Sequence, residues 1–226
     1  GAGFIRKEES SIKTDADLIK ASLKEDQIIT ESLRITNDGN TKLELNLKII
    51  DLEEFISLSD NFITLEPGET KTITLEINGK LSGAYSGKLL IESTEISKIV
   101  KIFIEVEPKQ ALFDAKIKIH STYKEVKKGE DVEVTIALIN FGAETIDVNL
   151  YYTIRDLDGN VINSNEETLR IDNEISIIRK LKVPENINHG DYIFYVKATY
   201  NGNIAISSDL FSVLDKISEP IEFEFP

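Results

Sequence analysis

The feature that most narrows what this chain can fold into is a stretch that occurs twice. Leu33-Arg-Ile35-Thr-Asn37-Asp-Gly39-Asn-Thr-Lys-Leu43-Glu-Leu45-Asn-Leu47 returns as Ile136-Ala-Leu138-Ile-Asn140-Phe-Gly142-Ala-Glu-Thr-Ile146-Asp-Val148-Asn-Leu150. Asn140 minus Asn37 is 103, and this offset matches each apolar position and the glycine to a like partner. Alternation at period two puts successive side chains on opposite faces of a strand, so each copy reads as two strands joined through Asn-x-Gly. An offset of 103 is the length of a domain, and 226 residues hold two domains, each able to bury its own core.

Strand signals continue on either side of both copies. In the first half they run over Leu18 to Leu23 and Gln27 to Ile35, then through Leu43, Leu45, Leu47 and Ile49, and later through Ile73, Leu75 and Ile77. Gly39 reads as a residue for positive φ, and Leu52 to Leu65 reads as irregular. Glu66-Pro67-Gly68-Glu69 is a turn, with Pro67 presetting φ and Gly68 tolerating the left-handed region. A tight turn at Ser93 to Ile96 pairs Leu89 with Val100, Gly87 with Ile102 and Tyr85 with Ile104, all on one face.

The second half repeats this order, with strands at Phe113 to Ile119, Val132 to Leu138, Ile146 to Ile154, Ile175 to Val183 and Tyr192 to Tyr200. Asp158-Gly159 reads as a type I′ hairpin turn, and Asn201-Gly202-Asn203 returns the last long strand. The predicted architecture is all-β, two tandem immunoglobulin-like sandwiches of about seven strands each. Residues 1–13 read as a linker or an added edge strand, 14–107 as the first sandwich and 108–111 as a linker. Residues 112–216 read as the second sandwich and 217–226 as a tail. Gly83-x-Tyr85 and Gly190-x-Tyr192 fit tyrosine corners, in which a buried ring sends its hydroxyl back to a nearby backbone group. Two residues later, where antibody domains carry cysteine, stand Gly87 and Phe194; the chain has no cysteine, so packing alone must hold both cores.

Leu65-Glu-Pro-Gly68-Glu-Thr followed by Gly83-Ala-Tyr85-Ser-Gly87-Lys-Leu89 resembles the immunoglobulin-like, S-layer-like repeats of archaeal and bacterial cell-surface proteins. Ile154-Arg-Asp156-Leu-Asp158-Gly159-Asn160, Val183-Pro184 and Gly190-Asp-Tyr192 resemble the CARDB type, a cell-adhesion-related domain. The resemblance runs from about Leu18 to Val213 and rests on turn and corner residues, which specify fold better than function. It implies an exported stalk, spacer or adhesion module, and it brings no catalytic residues with it.

The residues point away from several chemistries. The net charge of −14 divides equally, with 13 basic and 20 acidic residues up to Glu107 and the same numbers from Pro108 onward. Such a chain repels phosphate backbones and anionic lipid, so neither nucleic acid nor membrane is an expected partner. His120 and His189 stand far apart with no motif around them, and no catalytic, cofactor-binding or metal residue is assigned. Asp156, Asp158 and Asn160 have the alternate oxygen spacing of a calcium loop but lack its downstream glutamate, and a plain turn explains them equally well.

What remains is a set of outward apolar groups, which read as ordinary cross-strand filler, as a face covered by Phe4 to Ser11, or as a contact surface. In the register above, Leu90 faces Ile99 and Ser86 faces Phe103 on the outer side of a sheet, and Ile50 shares their parity; in the second half Tyr151 and Tyr195 point outward together. Contiguous outward apolar groups mark interfaces. The expected function is therefore a non-enzymatic structural, adhesion or spacer module at the cell surface. It would act by protein contacts or self-assembly at the cell envelope, through sheet faces and edges. The alternative is an accessory module of a larger secreted enzyme, binding carbohydrate through Tyr151 and Tyr195.

Overall fold

A computed structural model describes residues 3–215, which form two all-β units divided between Lys109 and Gln110. The tail assigned to 217–226 lies outside the described residues. The first unit contains β1 (Ile12–Thr14), β2 (Leu18–Lys24), β3 (Ile28–Asn37), β4 (Leu43–Ile50), β5 (Ile56–Leu58), β6 (Phe62–Leu65), β7 (Thr70–Asn78), β8 (Gly83–Glu92) and β9 (Ser97–Glu107). These make a four-stranded sheet, β1-β3-β7-β5, and a five-stranded sheet, β2-β9-β8-β4-β6. The second unit contains β10 (Phe113–Ile119), β11 (Glu125–Lys127), β12 (Asp131–Asn140), β13 (Ile146–Arg155), β14 (Val161–Ile171), β15 (Glu174–Lys182), β16 (Gly190–Tyr200) and β17 (Asn203–Leu214). Its sheets are β10-β12-β15 and β11-β17-β16-β13-β14. Both units are immunoglobulin-like sandwiches.

The alternation explains the cores. Leu43, Leu45, Leu47 and Ile49 are buried while Glu44, Asn46 and Lys48 between them are exposed; Val132, Val134, Ile136 and Leu138 are fully buried. Each such aliphatic side chain contributes roughly 1.5–3 kcal/mol by leaving water. The register at β8–β9 pairs Tyr85 with Ile104, Gly87 with Ile102 and Leu89 with Val100. Where a disulfide would cross an antibody domain, Leu52 fills the space at Gly87: a Cβ there would meet its Cγ at 2.5 Å. In the second unit Phe194 stacks on Tyr152, with centroids 6.3 Å apart.

Several expectations need correction. Leu52–Leu65 is not irregular throughout, since β5 and β6 lie in it; strands of three and four residues are too short to show a periodicity. Gly39 is absent from the positive-φ residues. Glycine is required there by close approach, because a Cβ would lie 2.3 Å from Glu9 O. The Asp158-Gly159 turn is not type I′. The loop spans five residues between paired Arg155 and Val161, Gly159 at φ +88° is its left-handed residue, and its N–H donates to Asp156 O at 3.2 Å. The two-residue turn with both centres at positive φ is Asn201-Gly202, at +47° and +76°, between paired Tyr200 and Asn203.

The opening strand of each unit divides between the two sheets. In the first, β1 pairs antiparallel with β3, and after Asp15 the chain crosses so that β2 pairs parallel with β9. Asp15 fixes the crossing: its N–H donates to Arg34 O at 3.2 Å and its Oδ1 accepts the Arg34 N–H at 2.9 Å. In the second, β10 pairs with β12 and β11 pairs parallel with β17. The outer amides of β10 are not left open for another strand. Ile117 N–H donates to Ser207 Oγ at 3.1 Å and Ile119 N–H to Asp209 Oδ2 at 3.0 Å. Burial alone would push the Asp209 carboxyl up, but Lys124 at 2.7 Å and the Ile119 and Leu210 amides outweigh it and hold it below the usual range.

Candidate functional site

The outer faces of the two five-stranded sheets carry the residues singled out from the sequence. In the first unit the register sets them in rows across the strands. Ile99, Leu90 and Lys48 form one row, and Leu18, Lys101, Lys88 and Ile50 the next. Lys20, Phe103 and Ser86 follow, then Ser22, Glu105 and Ala84. These four rows hold four lysines and one glutamate, while the rows at the ends of the same face add Lys24 and the acidic Glu44, Glu92 and Glu107. The basic groups are therefore concentrated in the central rows of the face, with acidic groups toward its ends.

Ile99 is 42% exposed, and Leu90 and Ile50 are half-buried beside it. Phe103 is only 1% exposed, so it is no solvent contact residue, although it belongs to neither inter-sheet core. It sits on the interior strand β9, with Lys20 and Ser86 opposite on either side. Lys20 Nζ lies 3.9 Å from Glu105 Oε2, and its aliphatic stem is a natural cover for such a ring.

The outer face of the second unit follows the same plan with different chemistry. Its rows are Leu210, Ile193 and Arg155; then Ser208, Tyr195, Thr153 and Ser164; then Ile206, Lys197, Tyr151 and Glu166. Tyr151 is half-buried, but Tyr195 is 3% exposed, and Ile193, Thr153 and Ile206 are also buried. The Arg155 guanidinium lies 4.1 Å from the centre of the Tyr195 ring, and Arg155 Nε donates to Thr153 Oγ1 at 3.2 Å. A ring with its face against a cation and its edge buried cannot stack on a sugar. The carbohydrate alternative thus loses one of its two aromatics.

Tyr85 and Tyr192 lie on the inner faces. Tyr192 Oη donates to Asn188 O at 2.8 Å, and Tyr85 Oη to Leu81 O at 2.9 Å. Burial pushes the Tyr192 phenol up, with the Asp156 charge adding to it. The Tyr85 ring lies tilted against Phe55, with centroids 4.4 Å apart, and remains half-buried. The two histidines do not come together. His120 Nε2 contacts Thr135 Oγ1 at 2.7 Å, and His189 Nδ1 lies 3.0 Å from Asp215 Oδ2. The Asp156 carboxylate is taken up by its own turn: Oδ1 accepts the Asp158 and Asn160 amides at 3.0 and 2.8 Å, and Oδ2 accepts Asn160 Nδ2 at 2.8 Å.

Two clusters escaped the sequence reading. Asn37 and Asn140 are buried locks rather than simple turn residues. Asn37 Nδ2 donates to Thr41 O at 2.8 Å and Leu65 O at 3.0 Å; Asn140 Nδ2 donates to Glu144 O at 2.7 Å and Asp172 O at 2.8 Å. The shared offset was the available signal. The other cluster bridges β14 and β15, where Arg179 grips Glu167 through Nη2–Oε1 at 2.6 Å and Nε–Oε2 at 2.8 Å. The Tyr152 hydroxyl joins it at 3.1 Å. The Arg179 hydrogen bonds hold the Glu167 carboxyl below its ordinary range against an opposing push from burial.

No family model matches the chain, and no curated protein matches it. Solved structures are similar in fold. A protein of unknown function from Porphyromonas gingivalis is 14% identical with a TM-score of 0.46, covering 91% of this chain and 99% of its own. The D0-D1 domain of intimin is 14% identical at TM-score 0.40, covering 89% and 97%. A CARDB domain from Pyrococcus furiosus, solved with di-metal ions, is 15% identical at TM-score 0.33, covering 46% and 94%. No ligand, partner or activity carries over from likenesses at this level.

Proposed function

We propose that the chain is a non-enzymatic structural or adhesion module of an exported, cell-surface protein, working through protein contacts of its sheet faces. The observation that supports this best is the apolar and basic strip on the outer face of β9, β8 and β4. Ile99, Leu90 and Ile50 are at least partly open to solvent there, and Lys48, Lys88 and Lys101 share their rows. Such a strip suits an acidic protein surface with apolar groups on it, and a second copy of this acidic chain is one such surface.

Sedimentation over a range of concentration and salt tests the self-assembly form of the reading, and retention on isolated cell envelopes tests adhesion. The chain is expected to associate or be retained, less so at high salt, and Ile99→Glu and Lys88→Glu are expected to abolish either behaviour. A chain that stays monomeric at every concentration defeats self-assembly. Retention that is unchanged in Ile99→Glu defeats the assignment of the strip.

A further inference from the structure

Four Asx-Gly pairs occur in this chain: Asp38-Gly39, Asn78-Gly79, Asp158-Gly159 and Asn201-Gly202. Each holds latent chemistry, because a glycine nitrogen has no neighbouring Cβ to hinder its attack on the preceding side-chain carbonyl. What that nitrogen is already doing decides whether the attack can occur. Gly39 N–H donates to Asn37 Oδ1 at 3.1 Å, Gly79 N–H to Gln27 O at 2.9 Å and Gly159 N–H to Asp156 O at 3.2 Å. Gly39 and Gly79 are also walled in, since a Cβ would meet Glu9 O at 2.3 Å and Lys24 O at 2.4 Å.

Gly202 differs on both counts. Its amide donates no hydrogen bond among the described residues, and nothing lies within 4 Å of a Cβ built on it. Asn201 and Gly202 are both exposed at the tip of their two-residue turn.

We infer that Asn201 is a site of spontaneous covalent modification, the one Asx-Gly pair that folding leaves reactive. Hydroxide removes the Gly202 amide proton, and the nitrogen attacks Asn201 Cγ. A C–N bond forms, the Cγ–Nδ2 bond breaks, and ammonia leaves with a proton from water. One water molecule then opens the cyclic imide at either carbonyl, leaving aspartate or isoaspartate. The balance is amide plus water to carboxylate plus ammonium, with no oxidant or reductant.

Either product places a new negative charge beside Tyr200, which lines a surface pocket with Leu112, Asn140, Glu144 and Ile146. The isoaspartyl form also adds a backbone atom between paired Tyr200 and Asn203, where both turn residues already hold positive φ. The β16–β17 hairpin then loses the geometry that closes it.

The test uses the whole chain, folded and in denaturant, held at mildly alkaline pH and followed by peptide mass and by enzymatic methylation of isoaspartate. In denaturant Asn78 and Asn201 should convert at comparable rates, both preceding glycine in an open chain. In the folded chain Asn201 should keep converting, while Asn78 slows by roughly tenfold or more because its glycine amide must first lose a hydrogen bond. Asn201→Gln should remove the folded-state product. The inference is overturned if Asn201 stays intact while the denatured sample converts, or if Asn78 keeps pace with it in the folded chain.

Discussion

Asn37 and Asn140 make the same bonds 103 residues apart, yet the chain around them is closed in one case and open in the other. In the first sandwich the segment before β1 folds over the turn. Asn40 Oδ1 accepts the Glu9 N–H at 2.7 Å, Asn40 Nδ2 donates to Lys7 O at 2.8 Å, and Asn40 N–H donates to Glu9 O at 3.0 Å. In the second sandwich Ala143 stands at the place of Asn40 and has no side-chain amide to offer. Phe141 and Leu112 are left 61% and 52% exposed, joined by the Phe141 N–H to Leu112 O bond at 3.1 Å. A shared local motif therefore builds the same turn twice, while its cover depends on one polar side chain and on the segment that side chain can hold.

The largest effect should come from the paired tyrosines. Tyr192→Ala empties a buried site packed 6.1 Å from Phe211 and should cost roughly 3–5 kcal/mol in a denaturant melt. Tyr85→Ala, from a half-buried position, should cost clearly less. Equal losses would mean that the two corners are equally embedded.

Next come the asparagines. Asn37→Ala strands two carbonyls beneath a sealed turn and should cost about 2–4 kcal/mol, whereas water reaches the open end around Asn140 and limits Asn140→Ala to about 1–3 kcal/mol. The reverse order would show that the N-terminal cover does not shield the first turn.

The glycines sharpen the contrast further. Gly39→Ala forces a Cβ into Glu9 O and should destabilise by about 1–3 kcal/mol, with faster proteolysis within residues 3–11. Gly142→Ala meets only Asn140 Oδ1 at 3.3 Å and should stay within about 0.5 kcal/mol of the parent.

A modest effect separates the sandwiches by pH. Glu167 has a lowered carboxyl pKa when folded, so its contribution is present above the unfolded value and is lost as pH falls through the folded one. Glu167→Gln should cost about 1 kcal/mol near neutrality, given the partial exposure of the pair. That difference should vanish at strongly acidic pH. A difference that persists there would mean that the glutamate acts by packing rather than by charge.

The sequence by itself determined which residues line the cores, the register of β8 on β9 and the division into two sandwiches. These follow from alternation and turn chemistry, which are local. Its errors came where locality gives out. β5 and β6 are too short to show a periodicity, and Gly39 is required by the passage of Glu9 and not by a positive φ. Phe103 and Tyr195 leave their sheets on the outward side, as their parity requires, yet both are buried. Parity states the side of a sheet from which a side chain leaves and carries no information about what lies on that side. Only the tertiary structure decided that β2 and β11 cross to run parallel beside β9 and β17, that Arg155 occupies the face of Tyr195, and that Arg179 closes on Glu167. Each of these joins separate strands, and no local spacing records which of them will meet.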